Sequence, residues 1–379
     1  MSQDAAVPPA PGVPRVVLII GGLQRGGAER VISDMANYWC QKGWQITLAT
    51  WSGPQVEDFY ALDSRVERLW LETSAPDSTI NRLASFWRGV RRCRQILRRH
   101  RPTAVVSFID ISNILTLIAS WRLPHRVIVS VRTNPLRTST VSLPWRVLRR
   151  LTYPRADDIV AQTAGVAEWM AQEWRVDSTV VPNAVRDLPQ LTSVREDLVV
   201  AIGRLAPVKG FDLLLRAFAR IADEHDKWRL VIIGAGPEFE RLTELRDSLD
   251  VAERVAILEP VDDVESWLAR AGLVVQPSRY EGFPNVVLEA MGMGAAVVAA
   301  DCAWGPGDMI EDGVNGRLVP VDNVNALASV MQELIKHPEV RVSLGAEAEK
   351  VRQKFAQSVV MAQWERLLCS HVNEQHGTA

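Results

Sequence analysis

Cysteine is scarce. Cys40, Cys93, Cys302 and Cys369 are scattered through 379 residues, with no C-x-x-C pair and no nearby pair of histidines. That pattern argues against a disulfide framework or a structural zinc site, and it fits thiols kept reduced. Long hydrophobic runs are missing too: no stretch approaches the roughly 20 uninterrupted apolar residues of a membrane-spanning helix. The first fourteen residues are rich in Pro and Ala. They lack a basic start followed by a long apolar core, so no signal peptide is expected and the segment reads as a tail. Histidine is sparse as well. His100, His125, His225, His337, His371 and His376 show no partner pattern that marks a triad or a metal site.

What is present is an ordinary globular composition, 47% apolar and 23% charged. The length argues for two domains, since single cores stop growing near about 250–300 residues. The net charge of −2 hides an asymmetry. Residues 1–185 carry 23 Lys and Arg against 15 Asp and Glu, a balance of +8; the remainder carries 20 against 30, a balance of −10. A basic half beside an acidic one points to a polyanionic surface facing the first half only.

Short apolar runs rich in β-branched residues recur at Val16–Ile20, Ile46–Thr50, Ala104–Phe108, Val127–Val131, Ile159–Ala161 and Thr179–Val181. They do not alternate, which is the mark of strands buried on both faces. Helical patterns such as Glu29–Lys42 and Phe86–His100 lie between them. The same alternation restarts with Leu198–Ile202, Arg229–Ile233, Val255–Leu258, Leu273–Gln276 and Ala296–Ala299, with helices expected over Phe211–His225, Glu238–Leu249, Asp263–Ala271 and Val286–Met293. The fold class is therefore α/β, two doubly wound parallel sheets whose carboxyl ends bind ligands across a cleft. The expected domains are 15–183 and 184–354, divided near Val181-Pro182-Asn183-Ala184, where an X-Pro step ends a strand.

Glu281-Gly282-Phe283-Pro284-Asn285-Val286-Val287-Leu288-Glu289 is the most informative stretch. It follows a strand and opens a helix, with Pro284 suited to the first turn. Backbone amides around Asn285 and Val286 would form an anion site at the helix start. Glu281 before the helix and Glu289 inside it could bracket one ligand, each accepting from vicinal hydroxyls; two solvated glutamates beside an ordinary helix fit the same spacing. Gly203-Arg204-Leu205-x-x-x-Lys209-Gly210 sets two cations at the same sheet edge, able to neutralise a departing diphosphate without a metal. Gly234-Ala235-Gly236-Pro237 resembles the start of a dinucleotide fingerprint, but Phe239 stands where the third glycine belongs, which disfavours a nicotinamide enzyme.

In the first half, Gly21-Gly22-x-x-x-Gly26-Gly27-Ala28-Glu29-Arg30 follows the first strand, where glycine lets a backbone approach a phosphate or sugar. Arg82, Arg88, Arg91, Arg92, Arg94, Arg98, Arg99 and Arg101 form a cationic run with no acid between them. Leu83, Phe86, Trp87, Val90, Ile96 and Leu97 give it an apolar side. A second basic segment, Leu136–Arg155, holds Arg137, Trp145, Arg146, Arg149 and Arg150. Basic amphipathic helices edged with Trp suit an anionic membrane surface, with Arg88, Arg91, Arg92, Arg98, Arg99, Trp145 and Arg149 as the expected contacts. A solvated helix face is the plain alternative. No nucleic-acid module is visible, and no nucleic-acid partner is expected.

Taken in order, GGAER, GRLAPVKG, VIIGAGPE, EGFPNVVLEAMGMG and DCAWGPGDMIEDGVNGRLVP resemble the blocks of the retaining GT-B glycosyltransferases with a Glu-x7-Glu motif, glycosyltransferase family 4 (group 1). The likeness spans nearly the whole chain and is nearest the branch that builds polysaccharides and lipid-linked oligosaccharides. It implies a hexosyltransferase that uses a nucleotide-sugar, commonly a UDP-sugar, as co-substrate, with no cofactor and no metal. Arg204 and Lys209 would bind the diphosphate, Glu289 the ribose and Glu281 the donor sugar. Phe283, Pro284, Asn285 and Val286 would meet sugar and phosphate, Val261 and Gly236 the nucleotide, and Gly26 and Gly27 the donor from the first domain. Residues 355–379 would cross back onto that domain, with the helix at Met361–Leu368.

One departure stands out. Many family members carry a histidine near the strand that here ends Val106-Ser107-Phe108-Ile109-Asp110; this chain has Asp110 and Asn113 instead. Asp110, Asn113, Arg132 and Asn134 are therefore the candidates on the acceptor side, with Asp110 also a candidate catalytic group. The implied chemistry is front-face substitution, with closure of the domains about Asn183. A cytoplasmic protein on the inner face of the membrane is expected. A soluble transferase acting on a small free acceptor and a non-catalytic nucleotide-sugar-binding protein are the competing readings.

Overall fold

The computed structural model describes residues 13–71, 79–132, 142–186, 188 and 194–369, with the side chains of 79–84 left out. Asn134, Arg137, the N-terminal tail and the side chain of Arg82 lie outside the described residues. The chain divides into two compact units. The first holds residues 1–161, 167–181 and 361–379; the second holds 162–166 and 182–360.

The first unit is a parallel sheet of β1 (Arg15–Ile20), β2 (Gln45–Thr50), β3 (Glu67–Trp70), β4 (Ala104–Phe108), β5 (Arg126–Ser130), β6 (Asp158–Ala161) and β7 (Thr179–Val180), in the order β3-β2-β1-β4-β5-β6-β7. Its helices are α1 (Gly27–Gln41), α2 (Thr79–His100), α3 (Asp110–Ala119), α4 (Leu143–Thr152) and α5 (Ala164–Trp169), the last of which starts in the second unit's share of the chain. The central strands are buried on both faces, which is why they read as unbroken apolar runs. β3 was not expected: its sequence, ERLW, has two charges in four residues and sits at the sheet edge.

The second unit repeats the plan with β8 (Glu196–Ile202), β9 (Arg229–Ile233), β10 (Val255–Leu258), β11 (Ala271–Gln276), β12 (Val297–Ala300) and β13 (Arg317–Val319), ordered β10-β9-β8-β11-β12-β13 and all parallel. Its helices are α6 (Phe211–Ile221), α7 (Phe239–Ser248), α8 (Val264–Arg270), α9 (Asn285–Gly292), α10 (Val324–Lys336), α11 (Pro338–Ala348) and α12 (Val351–Lys354). Phe355 packs in this core, while α13 (Gln357–Cys369) carries the chain back into the first unit from Met361. There Trp364 is buried 6.0 Å from the Phe108 ring, and Glu365 pairs with Lys42 at 2.7 Å.

In each sheet the chain order reverses at one place, between β1 and β4 in the first unit and between β8 and β11 in the second. Doubly wound sheets bind ligands at the carboxyl ends of strands flanking such a reversal. At the first, Ile109 follows β4 with φ +75°, a conformation that a β-branched residue avoids. Its amide donates to the Ser130 carbonyl at 3.2 Å and its carbonyl accepts from the Asn113 amide at 2.9 Å, which holds the turn in place. Such strain persists only where the surroundings over-determine it.

Candidate functional site

The loops after β8 and β11 converge at the reversal of the second sheet. Lys209 ends a single 3-10 turn after β8, and Gly210 follows with φ +67°. A Cβ on Gly210 would stand 2.1 Å from the Pro277 carbonyl oxygen, so only glycine lets these loops close up. The contact sets Lys209 opposite Glu281. Its Nζ donates to Oε1 at 2.6 Å and to Oε2 at 2.9 Å.

Glu281 is 8% exposed, and a buried carboxylate needs compensating donors. Besides Lys209, its Oε1 accepts from Gln276 Nε2 at 2.7 Å and from Ser278 Oγ at 2.6 Å. Gln276 and Ser278 escaped the sequence reading because a Gln closing an apolar strand and a Ser in a loop are individually unremarkable. Arg279 was missed as well. It donates to both Asp212 oxygens at 2.9 Å, to Asp322 at 2.7 Å and to the Pro207 carbonyl at 2.5 Å, which ties the two loops together. Burial is the largest influence on the Asp212 carboxyl and would raise it, but the hydrogen bonds and charge of Arg279, together with the Arg241 charge and a backbone hydrogen bond, hold it below its ordinary value. Cys302 lies against the same cluster, and burial pushes its thiol up to about 12, leaving it protonated and unreactive at neutral pH.

Helix α9 starts at Asn285, with Pro284 in the capping position, one residue earlier than the first-turn place expected of it. The Asn285 amide donates to the Phe283 carbonyl at 3.0 Å, so it is not an open donor as expected. The next amide, that of half-buried Val286, has no acceptor a turn behind it among the described residues, which is the condition for anion binding at a helix start; Val287 is fully buried. The Asn285 side chain accepts from Asn183 Nδ2 at 2.7 Å, and Asn183 accepts from Gln162 at 3.0 Å. Glu289, in the fifth position of α9, is 4% exposed; neither glutamate of the motif is a solvated surface residue. Arg204 is exposed in the loop after β8. Gly236 turns the chain after β9, where a Cβ would stand 2.2 Å from the Leu205 carbonyl oxygen, and Val261 follows β10 half-buried.

The first-unit candidates divide differently. Gly26 and Gly27 lie at the carboxyl end of β1, but the Tyr60 hydroxyl accepts from the Gly26 amide at 3.2 Å and donates to its carbonyl at 2.9 Å. Gly26 therefore has no amide to spare for a phosphate. Asp110 is buried, accepting from Arg149 at 2.7 Å and from the Tyr153 hydroxyl at 2.6 Å. Asn113 is fully buried and donates to the Ser130 carbonyl and to Tyr153. Both side chains make their described hydrogen bonds within the interior of the first unit. Arg132 is buried over the Phe108 ring, 4.0 Å from its centroid, and donates to Ser130 Oγ at 2.9 Å. Burial pulls its guanidinium down to about 9, still charged at neutral pH.

The membrane-facing set also needs one correction. Arg88, Arg91, Arg92, Arg98 and Arg99 are exposed along α2 as expected. Arg149 is not: it is buried, paired with Asp110 and stacked 3.8 Å from the centre of the Trp174 ring. Trp145 is half-buried against Phe86, 6.0 Å between centroids. Among the described residues, no helix is long and apolar enough to cross a membrane.

Two family models match. Residues 25–187 fit Glycosyltransferase Family 4, and residues 196–337 fit Glycosyl transferases group 1. An exopolysaccharide phosphotransferase of Streptomyces coelicolor is 32% identical over 59% of this chain, which spans only 24% of that protein's length. A Campylobacter jejuni GalNAc-alpha-(1->4)-GalNAc-alpha-(1->3)-diNAcBac-PP-undecaprenol alpha-1,4-N-acetyl-D-galactosaminyltransferase is 26% identical over 95% of this chain and 99% of its own. Among solved structures, the HepE protein of Anabaena in complex with UDP superposes with a TM-score of 0.77 at 19% identity, over 94% of this chain and 100% of that one. With two parallel doubly wound units and two matching models that together span most of its length, the chain belongs to the GT-B glycosyltransferases.

Proposed function

We propose that the protein is a retaining, metal-independent transferase. It moves a sugar from a nucleoside diphosphate, a UDP-sugar in the first instance, to a lipid-linked or polysaccharide acceptor on the inner face of the cytoplasmic membrane. The observation that carries this reading is the Lys209–Glu281 pair at the β8–β11 reversal, just before the start of α9 in the chain. The bond that breaks joins the sugar's anomeric carbon to the diphosphate, and negative charge develops on the departing oxygen. Lys209, the exposed Arg204 and the helix start are the groups suited to stabilise it without a metal. Glu289 is the carboxylate for the ribose hydroxyls, and Glu281 meets the donor sugar while holding Lys209 in position. The acceptor oxygen forms its bond on the face the diphosphate leaves, and its proton passes to a diphosphate oxygen, so no protein base is required.

The acceptor class is supported by the undecaprenol-linked substrate in the name of the Campylobacter relative, and the donor class by the UDP bound to HepE. The exposed arginines of α2 would hold the protein at an anionic surface.

The test is a panel of nucleotide-sugars, screened by thermal shift and then for transfer to polyprenyl-diphosphate-linked acceptors in EDTA. The anomeric configuration of the product is read by NMR. Transfer with the donor's configuration kept, undiminished by EDTA, is the expected result. An inverted product overturns retention, and loss of turnover in EDTA overturns metal independence.

A further inference from the structure

Between Asp77 and Asp157 the chain carries a single acidic residue, Asp110, and that one is buried in its pair with Arg149. Among the described residues of this span, six large hydrophobic ones are exposed: Trp87, Ile111, Trp121, Leu143, Val147 and Leu151. Three of them belong to α4, and they recur every fourth residue on one face: Leu143 is 69% exposed, Val147 50% and Leu151 57%. The opposite face carries Trp145, Arg149 and Thr152, which are half-buried or buried. Arg149 lies about 200° around the helix from Val147. A surface helix ordinarily turns its apolar stripe inward and its cations to water. Helix α4 departs from this: it buries one of its three arginines, Arg149, and shows its aliphatic stripe to the outside.

The frame of this stripe is cationic. Arg146 and Arg150, on the same helix, are both exposed. Beyond its C-terminal end, the Arg155 guanidinium donates to the Leu151 carbonyl and lies 4.3 Å from the centre of the exposed Trp121 ring. On its inner side, Trp145 meets Phe86 of α2, and the neighbouring Trp87 is exposed beside Arg88 and Arg91.

We propose that α4 lies on an anionic lipid surface and inserts Leu143, Val147 and Leu151 among the acyl chains, with Arg146 and Arg150 at the headgroups and Trp87 and Trp121 at the boundary. This rests on the membrane-side reading above, and it moves the anchoring contact from the arginines of α2 to the aliphatic stripe of α4. Charge selects lipid over a second copy of this chain, because pairing two such faces would bring Arg146 and Arg150 against their counterparts. The tryptophans fit the same occupant, being side chains with an apolar body and a polar edge.

The full chain is sedimented with phosphatidylcholine vesicles containing phosphatidylglycerol, at low and at high salt. Charge contacts are screened at high salt, whereas aliphatic insertion is not. The parent should keep part of its binding in high salt. A variant with Leu143→Gln, Val147→Gln and Leu151→Gln should bind on the order of 100-fold more weakly at low salt, and not at all at high salt. Because these side chains are exposed, its melting temperature should equal the parent's; the single change Val147→Glu gives a graded version if the triple change does not fold. Equal binding by parent and variant overturns the proposal, as does a parent dimer in gel filtration that the variant abolishes. Vesicle binding requires no turnover, so an inactive parent that still binds through α4 would sink the transferase reading and leave this one standing. A parent that transfers sugar but ignores vesicles would do the opposite.

Discussion

Each unit holds an ion pair with a buried carboxylate next to the place where its sheet reverses, and the two pairs have different surroundings. In the first unit, Asp110 and Arg149 are enclosed by Tyr153 and the Trp174 ring, and every contact described for them points inward. In the second, Lys209 pairs with Glu281 four residues before the start of α9, and Arg204 is exposed in the loop after β8. Buried charge therefore does not by itself mark a site. The second pair is the one we propose as a site, because a helix start follows it in the chain.

This contrast can be broken from either side. The largest effect is expected for Asp110→Ala, which leaves Arg149 buried without its carboxylate; loss of one member of such a pair costs about 3–5 kcal/mol. Denaturant melts should show that loss. Unchanged stability together with lost transfer would return Asp110 to the reacting groups. Lys209→Ala should do the opposite, lowering turnover roughly 100–1,000-fold, about 2.7–4 kcal/mol of transition-state stabilisation. Its melt should stay near the parent's, because Gln276 and Ser278 still donate to Glu281. Turnover within threefold of the parent would remove Lys209 from the chemistry.

Smaller effects sharpen the comparison. Arg279→Ala deletes charged hydrogen bonds to Asp212 and Asp322 and should cost about 1–3 kcal/mol of stability. A donor affinity unaffected by that change would show that the loop clamp does not shape the site. The smallest effect belongs to His125 in the first unit, whose pKa burial lowers to about 4. The folded protein holds this imidazole neutral, so its contribution to stability is full above about pH 6.5 and is lost as the pH falls towards 4. Denaturation at pH 7.5 and 4.5 should show a larger acid loss in the parent than in His125→Gln, and equal losses would refute the assignment.

The central strands were legible because burial on both faces leaves an uninterrupted apolar run, as in Val16–Ile20. The edge strands β3 and β13 were not, since ERLW and RLV are short and half charged or bounded by charge. Glu281 and Glu289 stood out in the sequence as a candidate pair across a helix start, but spacing alone did not separate them from two solvated glutamates; their burial did. Their surroundings were not legible, because Gln276, Ser278 and Arg279 acquire meaning only when the β8 and β11 loops meet. Arg149 was placed at the membrane because it sits in a basic run. The four-residue recurrence of Leu143, Val147 and Leu151 already sets it on the other side of α4, and that periodicity was the signal passed over.

The crowding at Gly210 has a thermodynamic consequence. With a carbonyl oxygen where its Cβ would be, and Arg279 fastening the loops on either side, the cradle proposed for the diphosphate has little slack to lose. A ligand that enters a prearranged cradle spends little of its interaction energy on ordering the protein. Calorimetry of UDP binding should accordingly show a small entropic penalty from the protein, and placing alanine at position 210 should weaken the nucleotide by shifting the cradle rather than by removing any group that touches it.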